Sequence, residues 1–124
     1  MDFLKEIVFE DPDKIGGSIK ATIQKTGKLG FSSGAMDFMN LKSTPYFKIG
    51  FPAEGNAGDL IYMVPTHLKE GAFKVAEAGS YNYINLKNVF DRKGIDYKNK
   101  TYTYDIKKEK TEGVEYFILI IRKK

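Results

Sequence analysis

The order strand, short helix, strand, strand occurs twice in this chain, over residues 23–64 and again over 75–121. In the first pass Ile23–Phe31 leads into Ser32-Ser33 and a helical stretch Gly34–Asn40, followed by strands Tyr46–Phe51 and Asp59–Val64. In the second, Phe73–Ala78 and Tyr81–Ile84 lead into Asn85 and a helical stretch Leu86–Lys93, then Thr101–Ile106 and Glu115–Ile121. Internal repetition constrains architecture before any single residue does, because one such unit exposes an apolar sheet face that a second must cover. With the strand Ile19–Gln24 placed in front, each copy becomes strand-strand-helix-strand-strand. The predicted fold is mainly β with two short helices (α+β), two pseudo-repeats closing one compact barrel. Its predicted parts are a leader over 1–18, a first pseudo-repeat over 19–65 and a second over 72–124.

The local signals are consistent with that plan. Ile19, Ala21 and Ile23 alternate with Lys20, Thr22 and Gln24, the period of a half-buried strand. Thr26-Gly27 turns the chain into Lys28–Phe31. A serine oxygen at Ser32 or Ser33 accepts from the unpaired first-turn amides of a helix whose residues Ala35, Met36, Phe38, Met39 and Leu41 predict extensive burial. Pro52–Gly58 reads as a Gly-rich hairpin loop, and Pro65–Gly71 as the join between halves. Asn85 is the predicted cap of the second helix, whose Leu86, Val89, Phe90 and Lys93 share a face and which Gly94 ends in a left-handed conformation. Lys107–Gly113 reads as a polar hairpin loop, and Tyr116–Ile121 as a fully buried closing strand before a solvated Arg122-Lys123-Lys124.

Ahead of the barrel, Phe3, Leu4, Ile7 and Val8 fit one helical face, while Phe3, Ile7 and Phe9 fit one face of a strand, and both assignments stay open. Asp11-Pro12-Asp13 stops this leader and Gly16-Gly17-Ser18 is a flexible joint. Its acids outweigh its cations: residues 1–13 carry −4 of a net charge of +4, which leaves +8 on the remainder. A basic body fits a polyanionic partner, because Lys contacts release counterions from a phosphate backbone. No run approaches the roughly 20 apolar residues of a membrane span, so no membrane partner is expected. The start of the chain lacks the basic and apolar regions of a signal peptide, and there is no Cys, which makes the cytoplasm the expected location.

The run Ile23-x3-Gly27-Lys28-Leu29-x-Phe31-Ser32-x2-Ala35-x3-Met39-Asn40-Leu41-x5-Phe47-x-Ile49 resembles the AbrB/SpoVT/MraZ-like swapped-hairpin barrel family. The second half is similar through Tyr83-Ile84-Asn85, Val89-Phe90, Gly94-Ile95 and Tyr102-x-Tyr104. The resemblance implies a barrel completed within one chain by a tandem copy, with a homodimer as the alternative assembly known in simple members. It also implies DNA contact through the first strands and their turn. Here those positions offer Lys20, Lys25 and Lys28, with Lys74 in the second half. Lys87 and Arg92 complete the candidate phosphate-contacting set. Two departures bear on mechanism. Ser32 and Asn85 stand where the family opens its helix with Pro, and Arg92 and Arg122 are the only arginines, so bidentate guanine readout is not expected.

Read from Tyr46, the order of four strands and then a helix is also similar to Whirly and Pur-type single-strand-binding folds, with Phe73–Gly79 similar to a Pur-type strand. That likeness implies base stacking on Tyr46, Tyr62, Tyr81 or Tyr83. Catalysis is not expected. The single His67 follows Pro65-Thr66 and has no Cys or second His to share a metal, and no Ser-His-Asp order, dinucleotide fingerprint or Walker loop occurs. The expectation is therefore a non-catalytic, cofactor-free protein that binds nucleic acid through phosphates. The competing expectation is a protein–protein interaction or assembly module on a barrel that has lost its DNA surface.

Overall fold

The structure is a computed structural model and describes residues 19–56, 58–79 and 81–122. The leader and the last two lysines, with the readings made of them, lie outside these residues. The first hairpin is β1 (Lys20–Ile23) and β2 (Lys28–Phe31), whose alternation buries Ala21, Ile23, Leu29 and Phe31. Gly27 makes the turn at φ +88°, a conformation that costs little only for glycine. A Cβ there would stand 2.5 Å from Lys87 Cβ, so the turn packs directly against the start of the second helix.

Ser32 caps helix α1 (Ser33–Phe38), its Oγ accepting from Ala35 N at 3.2 Å. Asn40 adopts φ +53° after the helix, with Leu41 N donating to Met36 O and Asn40 N to Asp37 O. These two bonds are the paired C-terminal closure in which a left-handed residue satisfies the last carbonyls. The same closure ends helix α2 (Lys87–Arg92), where Gly94 sits at φ +73°, Ile95 N donates to Phe90 O and Gly94 N to Asp91 O. Asn85 does not cap α2. It is still the last residue of the strand Tyr81–Asn85, paired with Lys28, so Leu86 takes the cap position and the Asn85 carboxamide accepts from Lys87 N at 3.2 Å.

The remaining strands are β3 (Tyr46–Gly50), β4 (Leu60–Thr66), β5 (Phe73–Lys74), β6 (Ala76–Ala78), β7 (Tyr81–Asn85), β8 (Tyr102–Thr111) and β9 (Val114–Ile121). Among the described residues every ladder is antiparallel, in the order β5-β3-β4-β9-β8-β1-β2-β7-β6. The two ends of that order are neighbours in the chain. Val75 separates β5 from β6, and its N–H donates to Pro45 O at 2.8 Å. One kinked segment thus pairs with β3 before the kink and with β7 after it, which nearly closes the sheet into a barrel. The hairpin β1–β2 lies between β8 and β7, and β3–β4 lies between β9 and β5.

Four expectations change. Phe73–Ala78 is broken at Val75 because it must serve two partners. The β4 strand continues through Pro65 to Thr66, into the span expected to join the halves. The polar stretch Lys107–Thr111 is strand and not loop: it pairs with Val114–Ile118 as a ribbon exposed to solvent, whose turn is only Glu112-Gly113, both at positive φ. The side chains of Lys107–Thr111 are all exposed, and the core contact on this ribbon comes from Phe117, opposite Lys108. Tyr116–Ile121 is not fully buried. Phe117 and Leu119 point inward, while Tyr116, Ile118, Ile120 and Ile121 are half-buried.

Phe47, Ile61, Met63, Ile84, Leu86, Phe90, Tyr104 and Leu119 are almost wholly excluded from solvent and form the core. Phe38 and Phe47 meet Phe117 edge to face, at ring separations of 5.9 and 6.3 Å. Tyr104 spends its hydroxyl inside this core, donating to Gly58 O at 2.5 Å, and burial raises its pKa. No helix among the described residues is long and apolar enough to cross a membrane.

Candidate nucleic-acid interface

Register decides which side chains leave the barrel. Because Ala21, Ile23, Leu29, Phe31 and Ile84 fill the inner face, Lys20, Thr22, Lys28, Gly30, Tyr81 and Tyr83 occupy the outer face of β1, β2 and β7. Thr22 lies opposite Gly30, and Gly30 opposite Tyr83. A groove of about 420 Å³, open to solvent, is lined by Lys20, Thr22, Gln24, Gly30, Phe31, Ser32 and Tyr81, and the Gln24 carboxamide lies over the buried Gly30. Ser32 Oγ also accepts from Lys20 N at 3.1 Å, so one hydroxyl ties the groove wall to α1.

Two tyrosines border this surface. The Tyr81 and Tyr83 rings lie 5.8 Å apart and tilted by 40°. Lys28 Nζ stands 4.6 Å from the Tyr83 ring centre, a cation held against the ring's negative face. Beside the groove lies a second cavity of about 460 Å³, lined by Lys20, Lys100, Thr101, Thr103 and Arg122. Arg122 donates to Asp105 Oδ1 from Nη2 at 2.6 Å and from Nε at 3.1 Å, which orients its guanidinium. Lys20 lines both spaces.

The predicted cations are dispersed around this surface. Lys20 and Lys28 stand on the outer face, at opposite ends of the β1–β2 hairpin. Lys25 is exposed in the turn between those strands, and Lys87 packs against Gly27 of the same turn. Lys87 is engaged: its Nζ lies 2.9 Å from Asp91 Oδ2, and that hydrogen bond raises its pKa. The Tyr97 hydroxyl donates to the other Asp91 oxygen at 2.6 Å and, with Lys87, lowers the carboxyl's pKa. Lys74 is exposed on β5, opposite Tyr46 and beyond the Val75 kink, and Arg92 is exposed in the last turn of α2. Tyr46 and Tyr62 lie on the β3–β4 hairpin, away from the groove.

Lys100, Arg122, Gln24 and Gly30 were not singled out from the sequence. The alternation of Ile19–Gln24 did carry a signal, since it set Lys20, Thr22 and Gln24 on one outer row. Glycine inside a strand was another, because it marks a bulge or a close approach. Gly30 has neither a positive φ nor backbone crowding; a Cβ there would meet chiefly the Gln24 carboxamide, at 2.7 Å. No family model matches the chain, and no curated protein or solved structure matches it either.

Proposed function

We propose that this protein binds nucleic acid without catalysis, holding phosphates with lysines on the outer face of β1, β2 and β7. The observation that carries this reading is the shared position of Lys20, between a groove bordered by tyrosine and a cavity lined by two further cations. Lys25, Lys28 and Lys87 supply positive charge at the other end of the same hairpin. Lys74 and Arg92 act as peripheral contacts. We also propose that the barrel is a pair of interleaved pseudo-repeats, 19–65 and 72–124, of the swapped-hairpin kind. The placement of each first-half hairpin between strands of the second half supports this.

Fluorescence anisotropy with labelled single-stranded and duplex DNA, across a salt series, tests the binding. Each phosphate contact contributes about 0.7–0.9 to the slope of log affinity against log salt. Replacing Lys20, Lys25 and Lys28 by Ala together is expected to weaken binding roughly 10- to 100-fold at low salt and to reduce the slope by about 2. Unchanged affinity and slope would remove this surface from the account.

A second reading is favoured by a separate observation. Leu60, Tyr62 and Val64 on β4 and Ile118 and Ile120 on β9 alternate with buried neighbours, so five half-exposed apolar side chains share the outer face there. Such a face fits a protein partner or a second copy of this chain. No DNA binding at low salt, together with dimerisation abolished by Ile118→Lys, is the result that would favour it.

A further inference from the structure

We infer that the groove over Gly30 is a nucleobase site for single-stranded nucleic acid, and that the adjoining Lys20–Lys100–Arg122 cavity takes a neighbouring phosphate. This rests on the nucleic-acid reading above and sharpens it to one class of ligand. The groove, at about 420 Å³, falls within the size range of small planar-ligand sites. Its floor is Gly30 covered by the Gln24 carboxamide, and its wall is Tyr81, whose ring lies 5.8 Å from that of Tyr83. Base faces stack on such rings with little regard to sequence. Gln24 lies over Gly30 and carries an amide donor and a carbonyl acceptor, while Thr22 adds a hydroxyl. Those groups match the mixed donor and acceptor edge of an unpaired base.

Charge completes the argument. The adjoining cavity offers Lys20, Lys100, the Thr101 and Thr103 hydroxyls and an Arg122 already paired with Asp105, so the two lysines supply the charge for a phosphate diester. Lys20 borders both spaces, as a residue must if base and phosphate belong to one strand. A duplex cannot use the site, because its base faces are already stacked on their neighbours and only edges reach the grooves. Gly30 leaves the room in which the Gln24 carboxamide sits. Neither its φ nor its backbone surroundings require glycine, since the atom nearest an added Cβ is the mobile end of Gln24.

The test compares a fluorescent single-stranded DNA with an abasic strand of the same length and charge, on the full chain. Wild-type protein is expected to prefer the base-bearing strand by about tenfold or more. Gly30→Val, which fills the floor and is checked for folding by circular dichroism, is expected to bind both strands at the abasic level. Tyr81→Ala provides the same readout without altering the floor. Lys100→Ala is expected to weaken both strands about equally. Equal wild-type affinity for the two strands, or duplex binding as tight as single-strand binding, would overturn the nucleobase site while leaving phosphate contact through the lysines standing. No binding of either strand would overturn both.

Discussion

Cleaving the chain in the exposed segment after Lys69 is expected to leave both fragments, 1–69 and 70–124, without stable tertiary structure. Each hairpin of the first half finds its lateral partners only in the second: β1 with β8, β2 with β7, β4 with β9 and β3 with β5. What remains within the first fragment is β1–β2 and β3–β4, two ladders of three and five residue pairs with no ladder joining them. Isolated two-stranded hairpins are marginal in water, and four open edges together with an uncovered apolar face would favour aggregation. Mixing the two fragments is expected to restore the dispersed amide spectrum of the intact chain, since the connection supplies proximity and not contacts. A folded, monomeric 1–69 fragment would contradict the interleaved topology.

Gly27→Val is expected to cost roughly 2–5 kcal/mol, a large part of the roughly 5–15 kcal/mol that holds a domain of this size. Two penalties add. A β-branched residue at φ +88° is strained by about 1–2 kcal/mol, and overpacking costs about 1–3 kcal/mol more. The second penalty is unusually direct here, because Lys87 Cα as well as Cβ lies within 2.7 Å of the new Cβ, and a backbone atom cannot swing aside. Relief requires the turn to leave α2, which breaks the bond from Leu86 N to Gly27 O, 3.2 Å long. Leu86 is itself 1% exposed, so the displacement reaches the core. Gly113→Asn is the control: it has the same sign of φ but nothing within 4 Å, and Asn tolerates that conformation. Chemical denaturation of both variants checks the contrast, and similar losses would show that packing against α2 contributes nothing.

Much of the local structure was legible because it is written in local chemistry. Ser32 caps α1, Gly94 closes α2, and the alternation of Lys20–Ile23 sets its inner and outer rows, since each depends on neighbours within a few residues. Ile19, expected on the inner row, lies ahead of β1 and is 39% exposed. Asn85 differs from expectation for a reason of the same scale, as it ends a strand one position before the cap. Lys107–Thr111 carries no strand signal because all five of its side chains are exposed, so its pairing rests on β9 and on the two-residue turn at Glu112-Gly113. Closure of the barrel at Val75 was beyond local reading, because it depends on β3 and β7 approaching one segment from opposite sides. The candidate site divides in the same way. Lys20, Lys25 and Lys28 stand out by charge and position in the first hairpin. Lys100 and Arg122 reach Lys20 only through the β1–β8 ladder, and Gly30 becomes a groove only when Gln24 and Tyr81 are folded around it.

We propose that nucleic acid meets the outer face of β1, β2 and β7 and not that of β4 and β9. Amide chemical-shift mapping of the intact protein during titration with a short single-stranded DNA tests it most directly. Shifts are expected to concentrate on Lys20, Thr22, Gln24, Gly30 and Tyr81 and to diminish as salt is raised. Shifts confined to Leu60, Tyr62, Ile118 and Ile120, or none at low salt, would contradict it.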